Sequence, residues 1–146
     1  MKVRVGAMIL KGDRLLTMEY LHQGGSLLSL PGGGVDGDEG LDLALSRELQ
    51  EELGVRAQVG PLVLVAQAAP FGAKEATLHL IFLCDIDGDP ALNPLETSAN
   101  SIRWVPVEEL AEGDLILYPD VRPYLMEAIS SRVGVRPVRI PGRGWL

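Results

Sequence analysis

The chain is poor in several residue types, and each shortage closes off a class of function. Its single cysteine, Cys84, cannot form an internal disulfide, so a disulfide scaffold is excluded and a reducing, cytoplasmic setting is expected. Cys84 stands in an apolar, strand-like run, where a thiol is buried and inert rather than nucleophilic. Lys and Arg number 13 against 20 Asp and Glu, a net charge of −7 with a pI near 4.8. That balance argues against general nucleic-acid binding and against binding a membrane surface, both of which need a basic footprint. Bound divalent cations would still let an acidic protein hold polyphosphates. No apolar run approaches the roughly 20 residues of a membrane span, and Met1 to Leu10 lacks the charged, apolar look of a signal peptide. Aromatic residues make up 5% and histidines number two. His22 and His79 read as structural, His22 in a loop within reach of a substrate and His79 in a strand. Phe71, Tyr20 and Tyr118 are the side chains that could stack on a base, while Trp104 reads as core.

What the chain does have is concentrated between Leu30 and Val55. Pro31, Gly32, Gly33 and Gly34 read as a glycine-rich loop after a short strand, followed by a helix. Asp36 or Asp38 caps that helix, and Asp36 with Glu39 has capping-box spacing. Leu41, Ala44, Leu45 and Leu49 recur at helical period, and Gly54 stands where a helix stops in a left-handed residue. At ~100° per residue, Glu48, Glu51 and Glu52 share one sector of the wheel with Leu41, Ala44 and Leu45. The opposite side carries Asp42, Leu43, Ser46 and Gln50, so the glutamate face is not the most solvated one.

Carboxylates a few ångströms apart and turned partly inward repel by roughly 3 kcal/mol per pair at an effective dielectric of about 20. They call for cations. Hard oxygen donors supplied incompletely by one helix suit Mg2+ or Mn2+, which keep waters and complete their shells with phosphate oxygens. Glycines without Cβ atoms let the backbone approach such an ion or a phosphate closely.

Gly33, Glu39, the run Arg47 Glu48 Leu49, the pair Glu51 Glu52, and Gly54 Val55 match the Nudix box at every defined position, and the chain resembles the Nudix hydrolases of MutT-like type. Agreement by chance is on the order of one in a billion per starting position. The likeness extends to Leu30 Pro31 Gly32 Gly33 and to Arg103 Trp104 Val105 followed by Glu109 Leu110, and covers Val3 to Ile129. It implies an α/β fold, a Nudix-type α/β/α sandwich with a mixed β-sheet. It also implies hydrolysis within the pyrophosphate of a nucleoside diphosphate derivative, with one to three Mg2+ or Mn2+ ions per site.

By position, the resemblance makes Glu48, Glu51 and Glu52 metal-binding carboxylates and the Gly32 carbonyl a further ligand. Arg47 would orient the carboxylates and Glu39 would support them. The general base stays open between Glu48 or Glu51 in the box and a glutamate outside it, Glu96 ahead of Glu75. Relatives often carry further acids just before the Arg-Trp pair; here Ala99, Asn100 and Ser101 stand there. Pro70, fifteen residues beyond Val55, is close to where ADP-ribose hydrolases of the family carry a proline. ADP-ribose or a similar nucleotide sugar is therefore the favoured substrate, with nucleoside triphosphates, including oxidised dGTP, second. A Nudix module that senses nucleotides without cutting them is the reading from another class, although such modules usually lose box carboxylates. A third is an interaction protein whose glutamate face merely packs.

At 146 residues the chain makes one domain, residues 1–132, with a tail over 133–146. The tail is expected to pack on the domain or on the partner subunit of a homodimer, or to fray. Strands are expected at Val3 to Leu10 and Leu15 to Tyr20 around a Lys11 Gly12 Asp13 turn, at Leu27 to Leu30, at Val55 to Val59 and at Leu62 to Gln67. Ala76 to Ile86 has the look of a central strand, and Ile102 to Val105 is the last. Leu21 to Ser26 and Asp85 to Ala99 read as loops, the second mobile. A helical turn at Val107 to Glu112 and a helix from Pro123 to Arg132 complete the pattern.

Overall fold

The computed structural model describes residues 1–70 and 75–131. Strand alternation organises it. In β1 (Lys2–Lys11), Val5, Ala7 and Ile9 point to one face and Gly6, Met8 and Leu10 to the other. The Lys11 to Asp13 turn, with Gly12 at φ 62, folds β1 back into β2 (Arg14–His22).

β3 (Gly25–Ser29) pairs with β2 as far as His22 opposite Gly25. The expected loop at Leu21 to Ser26 is thus only a tight turn, made possible by Gly24 at φ 90. The glycine run also departs from expectation. Gly32–Gly34 is a short strand, β4, antiparallel to β1 with Gly32 opposite Gly6. Gly32 has φ 152, and a Cβ there would fall onto the Val5 carbonyl, so the two backbones meet at a distance that only glycine allows.

The two strands expected on either side of Gly60 and Pro61 are one, β5 (Arg56–Ala68), with register shifts between Val59 and Leu64. A bulge absorbs the proline without ending the strand. β6 (Thr77–Asp87) lies between β5, antiparallel, and β1, parallel, in the central place its apolar run suggests. β7 (Ser101–Pro106) pairs with β2, and the two-residue β8 (Leu117–Tyr118) pairs with β3. The result is a mixed sheet in the order β5-β6-β1-β2-β3-β8, with β4 on β1 and β7 on β2.

Helix α1 (Leu41–Leu53) covers one face. Ala44, Leu45, Leu49 and Leu53 are fully buried against Val5, Ala7, Leu16, Met18 and Phe82. Each leucine contributes roughly 1.5–3 kcal/mol by burial. α2 (Val107–Glu112), a 3-10 turn at Arg122–Tyr124 and α3 (Leu125–Ser131) cover the other face, where Met8, Leu28, Ile81, Leu110 and Leu125 form a second core. This is the expected α/β/α sandwich. Among the described residues no helix is long and apolar enough to cross a membrane.

The N-cap of α1 is Gly40, without a side-chain cap, and not Asp36 or Asp38. Asp36 and Glu39 do bond reciprocally, the Asp36 N–H to Glu39 Oε1 at 2.8 Å and the Glu39 N–H to the Asp36 carbonyl at 3.0 Å, but in a turn that precedes the helix. Gly54, at φ 66, closes α1 as expected, its N–H donating to the Gln50 carbonyl. The 88–100 loop is pinned to the end of α1 and to β2: the Ala91 and Asn93 N–H groups donate to the Leu53 and Glu52 carbonyls, and the Asn100 N–H to the Glu19 carbonyl. Those bonds replace the free loop that its prolines and polar residues suggested.

Candidate active site

Because α1 buries its leucine stripe on the sheet, its Arg47-Glu48-Glu51-Glu52 edge is carried over β4 and the start of β1. Arg47 is the hub of this edge. Its Nη2 and Nε donate to the two carboxylate oxygens of Glu39 at 2.8 and 3.2 Å, a two-pronged ion pair. Its Nη1 reaches Glu48 and Glu51, each at 3.2 Å, and Nη2 also donates to the Gly34 carbonyl at 3.1 Å. One guanidinium therefore ties the helix to the turn before it and to the glycine strand beneath. It also draws the Glu39 carboxyl below the usual carboxylate range.

The glutamates differ in setting. The Glu48 side chain is 15% exposed and that of Glu51 38%. Burial raises the Glu48 carboxyl, against the pull of Arg47. Burial, reinforced by Glu48, pushes Glu52 up to about 7. A Cβ on Gly33 would land on the Glu48 carboxyl, so the glycine is the space that carboxyl occupies.

The donor set is one of oxygen atoms: Glu48 and Glu52 held at a cost in burial, Glu51 tied with Glu48 to Arg47, and a backbone strand at their side. Such a set fits Mg2+ or Mn2+. Among the described residues no three acidic side chains already converge as a closed cage.

The other expected residues fall elsewhere. Glu96 is exposed in a turn of the loop pinned to α1, its own N–H donating to the Asn93 carbonyl. Glu75 is exposed and pairs with the N-terminal ammonium at 3.3 Å. Tyr20, in β2, packs its ring on the core under α1. Phe71 lies outside the described residues, as does the tail over 133–146. Trp104 is partly buried on that same core, with Lys11 Nζ 5.8 Å from its ring. Cys84 is buried and its thiol is pushed up to about 12, the inert group its surroundings suggested.

Arg4 escaped the sequence reading. It stands on β1 opposite Gly34 on one side and His79 on the other; its charge works against the rise of the Glu48 and Glu52 carboxyls and adds to burial in lowering the His79 imidazole. Strand alternation marked its face; the approach of β4 to β1, which brings it to the acids, had no local signature.

Residues 1–126 match the family model described as NUDIX domain. The chain belongs to the Nudix family. The phosphatase NudJ of Escherichia coli K12 is 28% identical over 118 residues, covering 80% of this chain and 76% of the relative. The solution structure of the E. coli ORF135 protein superposes with a TM-score of 0.72 at 26% identity, over 91% of both chains. An ADP-ribose pyrophosphatase from Streptococcus suis shares the fold at a TM-score of 0.67 and 20% identity, over 89% of this chain and 90% of that one. The protein is thus a Nudix hydrolase, and the Arg47-centred edge of α1 is its Nudix box.

Proposed function

We propose that this Nudix hydrolase cuts the pyrophosphate linkage of a nucleoside diphosphate derivative at the α1 edge, with Mg2+ or Mn2+ held by Glu48, Glu51, Glu52 and the Gly32 carbonyl. The observation that carries the reading is the crowding of Glu48 and Glu52: burial raises both, an arrangement unfavourable to the fold unless cations neutralise it. Bound metal would supply charge neutralisation at the phosphorus and acidify a water. The chain's own residues do the rest. Arg47 fixes Glu48 and Glu51 in orientation, Glu39 fixes Arg47, and Gly33 leaves the Glu48 carboxyl its place. Glu48, mostly buried and raised, is better suited as general base than the exposed Glu96.

A nucleotide sugar such as ADP-ribose is the first substrate reading, supported by the placement of Pro70 two residues beyond the end of β5. A nucleoside triphosphate, oxidised dGTP included, is the second. Incubation with a panel of nucleoside diphosphate derivatives and triphosphates, with Mg2+ and with Mn2+, tests the proposal through its products. Release of a nucleoside monophosphate is the expected result. Measurable binding without any cleavage would replace it with the sensor reading.

A further inference from the structure

Arg4 is a cation without a counter-ion. Of the partly buried arginines among the described residues, Arg47 is ion-paired with Glu39, Arg103 with Glu19 and Arg122 with Asp120, whereas the Arg4 guanidinium makes neither a hydrogen bond nor an ion pair. Its neighbours across the strands supply no anion: Gly34 has no side chain, and His79 is kept neutral by burial and by Arg4 itself. A partly buried charge without a partner costs stability, and an apolar residue in its place would not. Keeping it points to an anion that arrives with a ligand.

The second observation is where Arg4 stands. Directly opposed residues of an antiparallel pair share a face. Arg4 and the Cβ position of Gly34 therefore lie on one face of the β1–β4 ribbon, and Val5 and Gly33 on the other, where the Glu48 carboxyl sits on Gly33. A Cβ on Gly34 would meet nothing within 4 Å, so space lies open beside Arg4 at the margin of the box. Its charge is felt at both Glu48 and Glu52. Arg47 is not free for a ligand in the same way, because its Nε, Nη1 and Nη2 all donate to Glu39, Glu48, Glu51 and the Gly34 carbonyl.

We propose that Arg4 holds the substrate's diphosphate, its guanidinium binding non-bridging phosphate oxygens from the β1 side while metal on the α1 carboxylates binds the group from the other. This rests on the hydrolase reading above. The planar fork of the guanidinium fits two phosphate oxygens at once. In the cleavage, water adds to one phosphorus and the bridging oxygen leaves with the other phosphate, taking the electron pair of the broken bond. A fixed cation at that phosphate stabilises the charge as it develops.

Binding of methylenediphosphonate, a diphosphate that water cannot cleave, measured by calorimetry in saturating Mg2+, reads the contact without turnover. Mn2+ binding to the phosphate-free protein reads the carboxylates alone. Arg4→Gln is expected to weaken the diphosphonate about 10- to 100-fold, the worth of hydrogen bonds to a charged group, without lowering Mn2+ affinity. Arg4→Lys, which keeps the charge and loses the fork, should fall between the two, and it decides the matter where Arg4→Gln fails to fold. kcat/KM for nucleoside diphosphate derivatives should follow the same order. Equal diphosphonate affinity in wild type and variants, or Mn2+ affinity that falls together with it, overturns the proposal. If no nucleoside diphosphate derivative is hydrolysed, yet wild type binds the diphosphonate and Arg4→Gln does not, Arg4 stands as a phosphate-binding residue and the hydrolase reading falls.

Discussion

The carboxyl of Glu48 occupies the space in which a side chain on Gly33 would begin. Gly33 is therefore a spacer for that carboxyl more than a flexible joint. Gly33→Ala should displace Glu48 by about the width of a methyl group and lower kcat on the order of 10²-fold, the usual penalty of a misplacement near 1 Å. Secondary structure by circular dichroism should be retained. Equal activity in the two proteins would show that the Glu48 position is not critical.

Arg47 and Glu39 make a second test. Losing the two-pronged pair in Glu39→Gln leaves Arg47 free to lean on Glu48 and Glu51, so metal affinity or activity should fall about 10- to 100-fold, as for other groups that orient ligands. The readout is the Mn2+ dependence of the rate: the variant should need more Mn2+ for half-maximal activity. An unchanged Mn2+ requirement would make the pair a brace of the loop alone.

The pH dependence of stability follows from the sign of the glutamate shifts. Glu52 is pushed up to about 7 and Glu48 is also raised, so the folded, metal-free protein holds protons that the unfolded chain releases at about 4.5. The stability that protonation contributes is complete below about pH 4.5 and is lost as pH rises through 7. Melting temperature in EDTA should fall between pH 5 and pH 8. The lowered carboxyls of Glu39 and Asp120 work in the other direction below that window, and the lowered His79 imidazole opposes the fall within it up to about pH 6.5, one group against two. With saturating Mg2+ the decline should shrink or reverse, since the ion prefers the charged carboxylates. Parallel melting curves in the two conditions would contradict the metal assignment.

Cys84 provides a control on the chemistry. With its thiol pushed up to about 12 and buried beneath the β5 bulge, it should resist iodoacetamide in the folded protein and react once denatured. Cys84→Ala should retain kcat, with a modest loss of melting temperature from the small cavity left behind. Rapid labelling of the native protein, or lost turnover in the variant, would bring the thiol back as a functional group.

Local pattern made much of this readable in advance. The period of Leu41, Ala44, Leu45 and Leu49 placed α1, and the spacing of Glu48, Glu51 and Glu52 placed the acids on its inner edge, because helical geometry converts sequence distance directly into direction. Gly54 was legible for the same reason. What escaped depended on contacts between segments far apart in sequence. The close approach of Gly32 to Val5 turned an apparent loop into a strand, and the bulge in β5 carried Pro61 through a strand that seemed to break there. Asp36 looked like a helix cap because its spacing to Glu39 is that of one; the ion pair of Glu39 with Arg47 took those residues into a turn instead. Arg4 and His79 are neighbours only across the β1–β6 pairing, 75 positions apart in number, and nothing local joins them.

The most direct test of the account compares the wild-type protein with Glu52→Gln, measuring nucleoside monophosphate release from nucleoside diphosphate derivatives as Mg2+ or Mn2+ is titrated. The variant is expected to keep its fold by circular dichroism and to lose turnover by at least about 10³-fold at every metal concentration, as when a principal charge-stabilising group is removed. A correctly folded variant that turns over at the wild-type rate would contradict it.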